Sequence, residues 1–239
     1  MSTPSPTRWG LADAVGGLIL AAALLLAVGF ASAHFWITDS HVLLLLSYLA
    51  VWVPLLGAVL VACFVRGSGS VGGSGWFGGG GGSLVGDLGL RFRPIDVLWG
   101  LFVGLLARVV ASLIEIAEYG HIGTSSVTFG DTVYDGWWLF GALLAPGLIA
   151  PLIEELFFRG LVLRALVARP VIAVILSGAL FALLHVLQAD SMTVFAVVGL
   201  STLVFGLAAA TLAATTGRLG GAIIAHVTFN ALVLVPGLF

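Results

Sequence analysis

The chain has 239 residues, of which 60% are hydrophobic and only 8% charged, with a formal net charge of −2; its mean hydropathy is +1.20. A soluble domain carries about 25% charged residues, so this chain lacks the polar surface of one, and its charge balance leaves no footprint for nucleic acid. The composition specifies an all-α, polytopic integral membrane bundle of about seven to eight transmembrane helices at ~20 residues per span, and the lone Cys63 excludes an intrachain disulfide and a cysteine metal cluster.

Arg8 precedes the first apolar run, Leu11 to Ala33. Ala31-Ser32-Ala33 imitates a signal-peptide cleavage site, but the run is longer than the roughly 7–15 residues of a signal core, so a retained span is expected. The second run, His41 to Val65, carries Pro54 and Gly57, which membrane helices tolerate, and ends at Arg66. These two helices form an N-terminal unit, residues 1–66.

Residues 67–94 read as a cytoplasmic linker. Its first part is glycine-rich, with Trp76-Phe77 inside it, and has the composition of a flexible coil. Asp87 to Pro94 mixes apolar and basic residues, as an interfacial lead-in does.

Residues 95–239 form the membrane core. The third span is Ile95 to Tyr119, followed by a polar loop over 120–136 containing Asp131 and Asp135. The fourth runs from Trp137 to about Ala168, with Pro146 and Pro151 inside it, and stops at Arg169-Pro170. The fifth is Val171 to Leu187, the sixth Met192 to about Ala214, and the seventh Gly221 to about Val235, before Pro236-Gly237. With the N-terminus inside, Arg8, Arg66, Arg91, Arg93, Arg164, Arg169 and Arg218 fall on the cytoplasmic side, a consistent positive-inside pattern.

Strongly polar residues within apolar runs are few: Arg108, Glu154, Glu155, Arg159, His185, His226 and Asn230. Each ionisable group at bilayer depth costs about 2.5–3.5 kcal/mol on insertion scales, which makes it a functional-site candidate. At about 100° per residue, Glu155 and Arg159 share a helix face about 40° wide, whereas Glu154 lies about 140° from Arg159. Arg159 is therefore expected to neutralise Glu155 and leave Glu154 facing the bundle interior. His226 and Asn230 share a face, as do Ser177, Phe181 and His185. Counting from the Arg169-Pro170 turn, Glu155 and His185 stand level, roughly 21–23 Å along their helices. His226 follows closely on its own turn at Gly220-Gly221, so it reaches the others only if that turn is sunk in the protein. Arg108 lies mid-span with no partner in its own pattern, and Glu115, Glu118 and His121 read as a solvated helix end.

Two chemistries suit these residues. A carboxylate with a histidine beside it can act as general base on water, with the other His and Asn230 donating to the developing oxyanion. Alternatively, Glu154, His185 and His226 are three ligands of a catalytic zinc. Both predict hydrolysis of a carbonyl substrate, a peptide bond above all.

The three patterns in order, Glu154-Glu155-x-x-x-Arg159, Phe181-x-x-x-His185 and His226-x-x-x-Asn230, resemble the CPBP family of CAAX proteases and bacteriocin-processing (Abi) proteins. The run Leu88-Gly89-Leu90-Arg91 ahead of a span adds to the resemblance, which covers Leu88 to the C-terminus. It implies an intramembrane endopeptidase acting on a membrane-associated protein or peptide, with the lipid bilayer as its other partner. By the same resemblance Glu154 and His185 activate water, His226 and Asn230 form the oxyanion hole, Glu155 completes the catalytic set, and Arg159 and Phe181 support it. A zinc-dependent version of that protease and a non-catalytic immunity or scaffold protein of the same fold are the alternatives. Short loops and the glycine linker point to a bacterial plasma membrane, with the N-terminus cytoplasmic.

Overall fold

The structure is a computed structural model that describes residues 11–34, 39–66, 86, 88–122, 135–166, 168–187 and 189–234. Arg8, the glycine-rich part of the linker with Trp76-Phe77, most of the 120–136 loop with Asp131, and Pro236-Gly237 lie outside the described residues. Among the described residues there are seven helices and no strand: α1 (Leu11–His34), α2 (Ser40–Leu60, with a wide last turn Val61–Arg66), α3 (Ile95–Tyr119), α4 (Gly136–Ala165), α5 (Pro170–Val186), α6 (Met192–Thr216) and α7 (Gly220–Leu234). Each expected apolar run forms one helix. Five are long and apolar enough to cross a membrane, and α5 and α7 are apolar but shorter, with 17 and 15 residues.

Helix ends follow local chemistry. Asp39 caps α2 by accepting from the N–H groups of Val42 and His41 at 3.1 and 2.9 Å, and these bonds hold its carboxyl below the usual carboxylate range. Asp135 caps α4 and Ser191 caps α6 in the same way. α4 ends at Ala165, not at the expected Ala168. Leu166 leaves helical backbone at φ −116°, ψ 24°, and Arg169, held off the helical region by the following Pro170 ring, sits at φ −132°, ψ 69°.

Lipid-like surroundings offer no hydrophobic drive between helices, so close packing of small residues carries the association. Gly100 and Gly104 let α3 lie against α7: a Cβ on Gly104 would stand 2.5 Å from the Ala225 carbonyl oxygen. Gly206 does the same for α6 on α5, where a Cβ would stand 3.0 Å from the Gly178 carbonyl oxygen. α1 packs on α2 at Gly17, opposite Ala58.

The segment expected as an interfacial lead-in is a strap that seats the α6–α7 turn. Leu88 is 2% exposed, and its side chain packs on Gly160. The Gly89 carbonyl accepts from Leu219 N–H at 2.9 Å and the Arg91 carbonyl from Gly220 N–H at 3.2 Å. Gly89 has φ +66°, and a Cβ there would collide with the Arg164 guanidinium, which donates to the Gly217 carbonyl at 2.9 Å. Asp96, fully buried, accepts from Arg218 Nη2 and Nε at 2.5 and 3.1 Å and from Arg93 N–H at 2.8 Å. This fork holds the Arg218 guanidinium above its ordinary value. Leu219, Gly220 and Gly221 are buried as a result, so the turn before His226 is sunk in the protein.

Arg218→Ala leaves the Asp96 carboxylate buried without its charged partner. The unfolding midpoint of the detergent-solubilised protein is expected to fall by several degrees, while Arg91→Ala, at an exposed side chain whose backbone makes the strap bond, leaves it unchanged. A thermal melt followed by tryptophan fluorescence measures both.

Candidate active site

α4 positions the glutamates. Its six regular α-helical residues Ala150–Glu155 lie between two stretches of wide, i→i+5 turns, Leu139–Ile149 and Leu156–Val162. In these stretches Ala150 N–H bonds to the Ala145 carbonyl, and Leu163 N–H to that of Phe158. Wide turns of this kind change the direction of the side chains that follow and recur at functional sites. Ser177 from α5 also donates to the Phe158 carbonyl, at 2.9 Å, and so ties α5 to the second wide stretch.

Glu155 is the hub. It is fully buried, and one of its oxygens accepts both from Arg159 Nη1 at 2.9 Å and from His226 Nδ1 at 2.9 Å. Arg159, also fully buried, spends Nη2 on the Gly206 carbonyl at 3.0 Å. Its guanidinium lies 4.6 Å from the Phe181 ring centroid and 5.7 Å from that of Phe205, within cation–π range. The pair thus joins α4, α6 and α7, with α5 supplying Phe181. Sequence reading found the Glu155–Arg159 spacing and Phe181. It missed the Gly206 carbonyl and the Phe205 ring, which no local pattern marks.

The second centre is Glu154. It is 7% exposed, and its Oε2 accepts no hydrogen bond from the protein. His185 Nε2 and His226 Nε2 each stand 3.8 Å from that oxygen. The other nitrogen of each ring is fixed. His185 Nδ1 faces the Phe181 carbonyl at 2.8 Å, and His226 Nδ1 faces Glu155. A carbonyl and a carboxylate can only accept, so both Nδ1 atoms carry a proton, and in the neutral form of each ring it is a lone pair on Nε2 that faces Glu154. The His185 side chain is 30% exposed against 3% for His226, so the site opens beside His185.

Asn230 lies one turn beyond His226 on α7, and its Nδ2 donates to the Pro146 carbonyl at 2.8 Å. The carboxamide nitrogen carries a second N–H beyond that one. Arg108 has a partner after all: Nη2 meets both oxygens of Glu115 at 2.6 Å, two helical turns along α3, and its guanidinium lies 5.8 Å from the Phe229 ring. Glu115 is therefore buried, not part of a solvated helix end, whereas Glu118 and His121 are exposed.

Glu154, His185 and His226 have the donor chemistry of a zinc site. Among the described residues, however, no group of three or more His, Cys, Asp and Glu side chains has the arrangement to hold a metal ion.

Two glutamates, two histidines and an arginine are thus drawn together in the interior of a helical bundle. Residues 136–232 match the Rce1-like family model, described as Type II CAAX prenyl endopeptidase Rce1-like, so this part of the chain is similar to the CAAX proteases of the CPBP family, which are hydrolases. No curated protein and no solved structure matches the chain. The matched region runs from the start of α4 to α7 and contains both glutamates, both histidines, Arg159 and Asn230.

Removing one partner of a buried ion pair costs about 3–5 kcal/mol because the other charge stays buried. Arg159→Met is expected to lose that much stability, and Arg159→Met with Glu155→Leu clearly less. Chemical denaturation in detergent compares the two.

Proposed function

We propose that this chain is an intramembrane endopeptidase that hydrolyses a peptide bond of a membrane-associated protein or peptide, with Glu154 as the general base. The observation that supports it is the single Glu154 oxygen standing 3.8 Å from the Nε2 atoms of two histidines. Those spans are too long for direct hydrogen bonds and are the length that one bridging water closes. A water there donates to Glu154 and to an imidazole, and its own lone pair is left for the substrate carbonyl carbon. Glu154 takes a proton as the C–O bond forms. The proton then passes to the amide nitrogen as the C–N bond breaks, giving a carboxylic acid and an amine. Positioned general-base catalysis contributes roughly 10²–10⁴-fold.

Asn230 is the oxyanion donor in this reading, through its second N–H. His226 has a lone pair on Nε2 at rest, so it shares the water-side role with His185 and donates to the oxyanion only after taking a proton. Glu155, with Arg159 and Phe181 behind it, fixes the His226 ring. Residues 95–239 are the catalytic core in this reading, and α1 and α2 are a helical pair packed on α4.

The arginines Arg91, Arg93, Arg164 and Arg218 gather at one end of the bundle, around the strap and the α6–α7 turn. We assign that end to the cytoplasm of a bacterial plasma membrane, which puts the N-terminus inside. A reporter fused to the C-terminus is expected on the opposite side, and a cytoplasmic signal would reverse the assignment.

Glu154→Gln is expected to cut turnover by at least the roughly 10²-fold lower bound of general-base catalysis with its unfolding midpoint unchanged. Comparing membrane proteomes of cells carrying wild-type and Glu154→Gln protein should show one protein accumulating uncut in the variant. Equal processing in both would remove Glu154 from the chemistry. Stoichiometric zinc in the purified protein with chelator-sensitive cleavage would replace the general-base route.

A further inference from the structure

Two bonds from distant helices to α4 share one arithmetic. The stretch Leu139–Ile149 is wound in wide, i→i+5 turns, in which an N–H reaches the carbonyl five residues back, as that of Ala150 does to Ala145. Proline has no N–H. Pro146 therefore leaves the Gly141 carbonyl without its i→i+5 donor, and Pro151 leaves the Pro146 carbonyl without one. Among the described residues, those are the two carbonyls of this first wide stretch that side chains from other helices reach: Tyr48 Oη donates to Gly141 at 3.1 Å, and Asn230 Nδ2 donates to Pro146 at 2.8 Å. A regular α-helix would instead orphan the carbonyls four residues back, at Ala142 and Gly147. In a bilayer an unsatisfied carbonyl costs several kcal/mol, so a missing backbone donor needs a substitute.

We propose that Asn230 is a positioning residue whose side-chain N–H stands in for the backbone N–H that Pro151 lacks, and that Tyr48 does the same for Pro146. Asn230 lies one turn from His226, and Pro146 precedes Glu154 by two turns on α4. The bond therefore pins the helix carrying one histidine to the helix carrying the carboxylate it faces. The part of this that concerns catalysis rests on the reading of Glu154 and His226 given above; the hydrogen-bond substitution does not. It also explains why a proline pair spaced five apart is tolerated in the helix that holds the site.

The test restores the missing donor. Wild type, Asn230→Ala, Pro151→Ala and the double variant are purified in detergent. Each is melted, and each is labelled with dicyclohexylcarbodiimide, a carbodiimide that modifies buried membrane carboxylates, with Glu154 modification followed by mass spectrometry. Asn230→Ala alone is expected to lower the midpoint by several degrees and to change the Glu154 labelling rate several-fold. With Pro151→Ala added, both return close to the wild-type values, because residue 151 now supplies the N–H. Tyr48→Phe with Pro146→Ala gives the same cycle with a smaller change in shape and serves if Asn230→Ala does not fold. Asn230→Ala effects of equal size with and without Pro151→Ala would overturn the proposal. Rescue of midpoint and labelling, with wild-type and Glu154→Gln protein processing membrane proteins equally, would leave the substitution standing and count against the protease reading alone.

Discussion

The structure depends on one buried carboxylate, that of Glu155. It has no access to water, and it is neutralised by Arg159 one turn along its own helix and bonded by His226 from α7. A buried ion pair is weak evidence for stability in itself, since apolar residues of like volume often do as well. Its value here is geometric. Arg159 extends the pair to the Gly206 backbone on α6 and to the Phe181 face on α5, so four helices are registered against a single charge. The same contact fixes the tautomer of His226, so that in the neutral ring a lone pair, not a proton, faces Glu154.

The two glutamates differ in environment although they are adjacent. Glu155 has an arginine and an imidazole N–H. Glu154 has two imidazole Nε2 atoms at 3.8 Å and no direct hydrogen-bond donor on Oε2. Neighbouring residues on a helix diverge by about 100°, which is enough to give one carboxylate a structural partner and to turn the other toward the open side at His185. Two ion pairs elsewhere do unrelated work. Asp96–Arg218 locks the strap under the α6–α7 turn, and Arg108–Glu115 neutralises an arginine within α3.

Much of the fold was legible because it is written locally. Apolar runs, arginine-marked turns and capping residues mark seven helices, and an i, i+4 spacing marks Glu155 with Arg159. What was hidden depends on residues far apart in the chain. The depth of His226 is set by Gly89, Arg91 and Asp96, more than 120 residues before their partners. The pairing of α3 with α7 had a signal in Gly100-x-x-x-Gly104, a small-residue motif for close helix contact, but not the identity of the partner. The wide turns of α4 were hidden as well: Pro146 and Pro151 predict a disturbed helix, but which carbonyls they orphan depends on donors from α2 and α7. Glu115 read as a helix end because hydropathy alone does not show that an arginine two turns earlier reaches it.

The site depends on the state of the two imidazoles. Nitrogen-15 NMR of histidine-labelled protein in lipid bilayers reads the protonation of each ring nitrogen directly, with His185 and His226 assigned by single substitution. Both rings are predicted to carry the proton on Nδ1 and a lone pair on Nε2, and Glu155→Gln is predicted to disturb His226 while leaving His185 as it was. A His226 ring protonated on Nε2 alone, or one indifferent to Glu155→Gln, would contradict the arrangement of charge on which the site is built.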